Sequence, residues 1–170
     1  VRRLGAEPGD GLWVTGQLGG MALALQEYRA GRRPAPDLAE RFAHPQPRLG
    51  AGQWLASQGA HAMIDLSDGL SSDAGHVAAA SDVALEIVLE RIPCWGGATP
   101  LVAAASGEEY ELLVALPPAF GETQARAFAG LVGGGLPLTR IGFCAKGAGV
   151  RFTDRGAPVT PPAGYDHFAA

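Results

Sequence analysis

The chain has 170 residues, 47% of them hydrophobic, which suffices to bury a core as a single domain over 1–170 and excludes a disordered segment. Its 13 basic and 17 acidic residues leave a formal charge of -4 and no basic stripe, so nucleic acid is excluded as the expected partner. No apolar run reaches membrane-span length, no signal-peptide core follows Val1-Arg2-Arg3, and Cys94 and Cys144 lack both metal-ligand spacing and a disulfide framework, which together predict a cytoplasmic protein with ordinary thiols.

Taken in order, Pro8-Gly9-Asp10-Gly11 is a turn signal, and Leu12 to Thr15 reads as a first strand closed by Gly16. From Leu18 the apolar residues Leu18, Met21, Ala22, Leu25 and Tyr28 recur at helical spacing, with Gly31 as the stop. Arg29, Arg32 and Arg33 at that end suit the negative pole of the helix dipole and read as a solvated terminus. A short helix is expected from Asp37 to about Phe42, and the prolines of His44-Pro45-Gln46-Pro47-Arg48 then hold the chain extended. Leu49 to Gln58 reads as a helix ended by Gly59, with His61 beyond it as a packing or surface residue.

The most informative stretch is Ala62-Met63-Ile64-Asp65-Leu66-Ser67-Asp68-Gly69-Leu70, an apolar run that ends in acids, a hydroxyl and a glycine before a helical pattern. Ala62 to Leu66 reads as a strand, and alternation places Asp65 and Ser67 on one side of it. Asp68 stands where an acceptor side chain can cap the next helix, and Gly69 leaves room for an anion to approach the free amides there. Carboxylates and a phosphate repel each other unless a cation lies between them, and an all-oxygen ligand set points to Mg²⁺. The plainer alternative is that Asp68 is only a helix cap. In the helix that follows, Leu70, Ala74, Val77 and Ala78 form the apolar stripe; Asp73, off that stripe, is either a further carboxylate near the site or, one turn down and as the plainer reading, solvated.

Val83 to Leu89 is a predicted strand stopped by Pro93, and Leu101 to Ala105 a short alanine-rich helix. Ser106-Gly107-Glu108-Glu109-Tyr110-Glu111 then leads into the apolar strand Leu112–Leu116. Alternation puts Glu109 and Glu111 on one face and Glu108 with Tyr110 on the other. A binding role and a merely solubilising entry to an edge strand both fit that cluster. Pro117-Pro118 is expected to open a helix through about Leu131, Leu138 to Phe143 to form a strand, and Val150–Phe152 with Pro158–Val159 to form a closing hairpin. The aromatic end Gly164-Tyr165-Asp166-His167-Phe168 is expected to fold back onto the domain. Strands alternating with helices predict an α/β (α+β) fold, a layered mixed sheet covered by helices.

Five stretches carry a family likeness in order along the chain: Arg3–Asp10 with Val14-Thr15-Gly16, Pro45–Arg48, Met63–Leu70, Gly107–Leu112, and Gly164–Phe168. The chain resembles the C-terminal half of thiamine-monophosphate kinase, in the wider group that includes aminoimidazole ribonucleotide synthetase. The resemblance implies that Asp65 and Asp68 bind Mg²⁺, that Ser67 contacts ATP phosphate, and that Glu108 and Phe168 contact thiamine monophosphate. It also implies a homodimer at full length and a separate N-terminal nucleotide-binding domain, to which nothing in these residues corresponds. The chain, which begins without methionine, is therefore expected to be a half-enzyme with little kinase activity alone. One departure stands out: the family's Gly-Gly-Glu-Asp-Tyr-Glu-Leu appears here as Ser106-Gly107-Glu108-Glu109-Tyr110-Glu111-Leu112. The competing expectations are another ATP-dependent synthetase of the same group, or a non-catalytic ligand-binding or dimerising module.

Overall fold

The computed structural model describes residues 1–132 and 134–160. The expectation for the Gly164–Phe168 end, Phe168 included, lies outside the described residues. The architecture is the expected one, a mixed seven-stranded sheet covered by helices, in the strand order β2-β4-β1-β5-β3-β6-β7. The strands are β1 (Gly11–Thr15), β2 (Ala62–Asp65), β3 (Ala84–Val88), β4 (Leu112–Leu116), β5 (Leu138–Ala145), β6 (Gly149–Asp154) and β7 (Ala157–Val159). The helices are α1 (Gly20–Arg29), α2 (Pro36–Ala43), α3 (Leu49–Ser57), α4 (Leu70–Ser81), α5 (Pro100–Ala105) and α6 (Glu122–Leu131). Every strand pairing is antiparallel except β3 with β6.

Side-chain alternation along the central strands divides the core into two layers. Leu12 and Val14 of β1 and Leu113 and Ala115 of β4 point to one face, where they join Leu70, Ala74, Val77 and Ala78 of α4. Trp13, Val114 and Leu116 point to the other, against Ala51 and Leu55 of α3 and Ala125 and Phe128 of α6. Strands buried on both faces read as continuous apolar runs, as β1 and β4 do. On the second face Trp13 meets Phe120 edge-on, with ring centroids 5.3 Å apart.

Three expectations are corrected. The strand β4 is flanked by β2 and β1, so the acidic segment before it does not enter an edge strand. Helix α6 starts at Glu122 and not at Pro117, because the prolines form a turn closed by the Phe120 N–H to the Pro117 carbonyl. Asp73 is 1% exposed and not solvated. Its carboxylate turns back along the helix to the chain entering it, where backbone amides are available.

Smaller expectations held. Arg32 at the end of α1 forms an exposed ion pair with Glu27, and the closing hairpin pairs Phe152 with Val159. His61 is half-buried with Nδ1 3.0 Å from the Asp10 carboxylate, which also accepts the Glu7 N–H, so it ties the first turn to β2.

Candidate active site

The two polar stretches picked out in the sequence lie side by side. The β2–β4 ladder ends with Asp65 opposite Leu112, but the hydrogen bonding continues beyond both strands. Leu66 N–H donates to the Glu111 carbonyl, Tyr110 N–H to the Leu66 carbonyl, and Glu108 N–H to the Ser67 carbonyl at 2.7 Å. Ser67 and Glu108, expected to serve two different ligands, thus occupy adjoining positions on one edge. Close backbone approach accounts for the glycines at this junction. A Cβ on Gly107 would lie 2.9 Å from the Ser67 carbonyl oxygen, and one on Gly69, where φ is +101°, would lie 3.0 Å from that of Ala105. Gly69 is therefore required by the backbone of α5, a different reason from the room for an anion that its place in the sequence predicted.

At the β2–α4 junction Asp65 is exposed, Ser67 and Asp68 are half-buried, and Leu66 points into the core. The cap residue of α4 is Gly69, and Asp68 stands next to it at the helix start. Asp73 Oδ2 accepts the N–H groups of both Ser67 and Asp68 at 3.0 Å. Burial, and secondarily the negative charge of Asp68, pushes Asp73 up from 3.8 to about 6, against the lowering effect of its two amide donors and of His76. Asp68, Asp73 and His76 each bring a possible ligand atom within 4.8 Å of the others. Asp65 is outside that group. The carboxylates present suit a hard cation such as Mg²⁺, whereas the imidazole of His76 is a donor that Mg²⁺ does not favour. The residues therefore fit Mg²⁺ through carboxylate oxygen.

The second stretch is built differently. Glu109 and Glu111 are 4% and 0% exposed, while Glu108 is exposed and Tyr110 half-buried. That matches the alternation read from the sequence, but the cause is not a regular strand. Glu108 and Tyr110 sit in the left-handed region at φ +57° and +52°, a conformation that costs a non-glycine residue about 1–2 kcal/mol. What holds the segment is a group of buried charges. Arg48, just before α3, donates through Nε and Nη2 to both oxygens of Glu111, at 2.9 and 2.7 Å. Arg41 of α2 donates from Nη2 to Glu109 Oε2 at 2.8 Å, and its guanidinium stacks 5.2 Å from the Trp95 ring. Thr15 Oγ1 donates to Glu111 Oε2 at 2.7 Å and accepts the Leu112 N–H.

Reading the sequence alone gave no role to Arg41, Arg48 or Thr15. A signal was present: two acids flanking an apolar strand at i and i+2 require buried countercharges, and arginine is the residue suited to supply them. A hollow of about 290 Å³ opens over Arg41 and Arg48, between Asp37, His44 and Glu109. Asp65, Ser67, Asp68 and Glu108 do not line it.

Comparison with known proteins agrees with this picture. The family described as AIR synthase related protein, C-terminal domain, matches residues 7–154. Thiamine-monophosphate kinase of Escherichia coli (strain K12) is 39% identical over an alignment covering 99% of this chain and 55% of that protein. Among solved structures, thiamine-monophosphate kinase from Stenotrophomonas maltophilia K279a superposes with a TM-score of 0.79 at 32% identity, covering 94% of this chain and 54% of that one. The structure of AaThiL complexed with AMPPCP and TMP gives 0.76 at 29% identity, covering 98% and 53%. The chain spans about half the length of the curated relatives it matches. With the junction motif, the sheet and the family match in agreement, the chain belongs to the AIR synthase related family as its C-terminal domain, and within that family it is similar to thiamine-monophosphate kinases.

Proposed function

We propose that this chain is the C-terminal part of a kinase that transfers the γ-phosphoryl group of ATP to thiamine monophosphate, giving thiamine diphosphate and ADP. The observation that carries the reading is the backbone register that lays Glu108 against Ser67, so that a phosphate-side hydroxyl and a carboxylate for the organic cation share one edge. In the transfer, an oxygen of the thiamine-bound phosphate forms a bond to the γ-phosphorus as the bond to the ADP oxygen breaks. Such a reaction depends on positioning and charge neutralisation more than on a protein nucleophile. Ser67 orients an ATP phosphate through its hydroxyl. Glu108, exposed beside it, attracts the positive thiazolium ring. Asp65 and Asp68 are the residues that would hold Mg²⁺, which when bound offsets the negative charge of the polyphosphate.

The same reading assigns Phe168 to the thiamine side and an N-terminal domain of the same enzyme to the rest of the nucleotide pocket. It also expects a homodimer at full length and a cytoplasmic location. No helix among the described residues is long and apolar enough to cross a membrane. What supports the substrate assignment is the similarity to thiamine-monophosphate kinases and to a structure that holds an ATP analogue with TMP.

The test is calorimetric titration of the chain with Mg²⁺ plus AMPPCP, and separately with thiamine monophosphate. Asp65→Asn and Asp68→Asn are each expected to weaken the Mg²⁺-dependent binding about tenfold, and Glu108→Ala that of thiamine monophosphate. Equal heats in all variants would overturn the site assignment. An ATP-coupled assay is expected to find little turnover by these 170 residues alone.

A further inference from the structure

Glu109 carries more contacts than a charge partner for Arg41 requires. Its Oε1 accepts the N–H groups of Gly19 and Met21, at 2.7 and 3.2 Å, and the Ser106 hydroxyl at 2.6 Å. Ser106 Oγ in turn accepts the Ala22 N–H at 3.1 Å. Gly19 is the cap residue of α1 and has no side-chain cap bond of its own, so amides of the first turn are satisfied by a segment some 90 residues away. Glu111 is fastened equally firmly by Arg48 and Thr15. The segment is thus pinned inward at Ser106, Glu109 and Glu111. The two residues left between the pinned glutamates and beside them, Glu108 and Tyr110, are the ones in the left-handed region.

We propose that Glu109 and Glu111, acting with Arg41, Arg48 and Ser106, are positioning residues for Glu108. With alternate side chains drawn into buried ion pairs, the backbone between them has to turn outward. That turn aims the N–H of Glu108 at the Ser67 carbonyl and the N–H of Tyr110 at the Leu66 carbonyl, and it leaves the Glu108 side chain exposed beside Ser67. The charged group therefore sets the distance between the carboxylate proposed for the thiazolium ring and the hydroxyl proposed for the phosphate. This rests on the reading of Glu108 as a substrate contact. It goes further in assigning the geometry of that contact to residues other than Glu108 and Ser67 themselves. It also gives a use to Glu109, which accepts the Ser106 hydroxyl.

The decisive measurement is amide hydrogen exchange by NMR on the 170-residue chain, joined to its affinity for thiamine monophosphate. In Glu109→Ala, and more mildly in Glu109→Gln, exchange at the Glu108 and Tyr110 amides is expected to accelerate about tenfold or more, while the β1–β4 ladder stays protected. Affinity for thiamine monophosphate is expected to fall about tenfold in step. Glu108→Ala should weaken binding as much without changing either amide. Unchanged exchange at both amides in Glu109→Gln and Glu111→Gln would overturn the proposal. So would acceleration spread evenly over the whole sheet, because that marks general support of the fold. If the unsubstituted chain gives no heat with thiamine monophosphate, the substrate reading itself falls. Binding that persists with unchanged exchange removes the positioning role alone.

Discussion

Glu109 and Glu111 are closed in by the guanidinium groups of Arg41 and Arg48, while the acids of the β2–α4 junction, one strand position away across the sheet, are treated differently. What acts on buried Asp73 is a pair of backbone amides, the like charge of Asp68, and His76. In one region the negative charge is balanced within the chain, and the carboxylates serve as fasteners. In the other, burial first and the like charge of Asp68 second raise the Asp73 carboxyl to about 6. Acidic residues of similar spacing in the sequence are thus held by different groups, arginine at Glu109 and Glu111 and backbone amides at Asp73. The backbone bonds from Glu108 to Ser67 and from Tyr110 to Leu66 join the two regions.

The largest effect should come from unbalancing the fastened region. Arg48→Ala leaves the fully buried Glu111 with only Arg41 and Thr15, and a loss of about 3 kcal/mol is expected from the urea unfolding midpoint. Next is the seam between the regions. Gly107→Ala forces a Cβ to within 2.9 Å of the Ser67 carbonyl, and calorimetric melting should show a loss of about 1–3 kcal/mol. At the β2–α4 junction, where the proposed function puts Mg²⁺, Asp68→Asn should weaken Mg²⁺ binding about tenfold, or about 1.4 kcal/mol, with a smaller change in the unfolding midpoint than Arg48→Ala gives. If Asp68→Asn destabilised the chain as much as Arg48→Ala, the contrast between the regions would disappear.

The pH dependence separates the regions more gently. The carboxyl of Asp73 titrates near 6 in the folded chain, against an ordinary 3.8. Between those values the folded state holds more protons than the unfolded one, so stability on this account falls as pH rises from about 4 to about 6 and levels off above. Asp73→Asn should flatten that part of the metal-free stability profile measured by urea titration. The smallest effect is expected at the surface, where Arg32→Ala removes a pair with Glu27 that is open to water. Its melting temperature should match that of the unsubstituted chain.

Much of the fold was legible because local periodicity dictates it. The apolar stripe Leu70, Ala74, Val77, Ala78 marks the buried face of α4, and the unbroken apolar runs of β1 and β4 mark strands covered on both sides. The junction at Asp65 to Gly69 was likewise visible as a strand running into a helix. The roles inside it were less so. Asp73 lies off the apolar stripe and looks solvated until the incoming chain is seen folding over it.

The sequence by itself determined where strands and helices form, which residues face inward, and that acids gather at two strand ends, since each follows from neighbours a few positions apart. Only the tertiary structure decided that β4 lies inside the sheet, that Arg48 meets Glu111 across 63 positions, and that Arg41 meets Glu109 across 68. Such pairings leave no period in the chain. They are selected by the cost of burying a charge without its partner, and that cost exists only once the layers have closed.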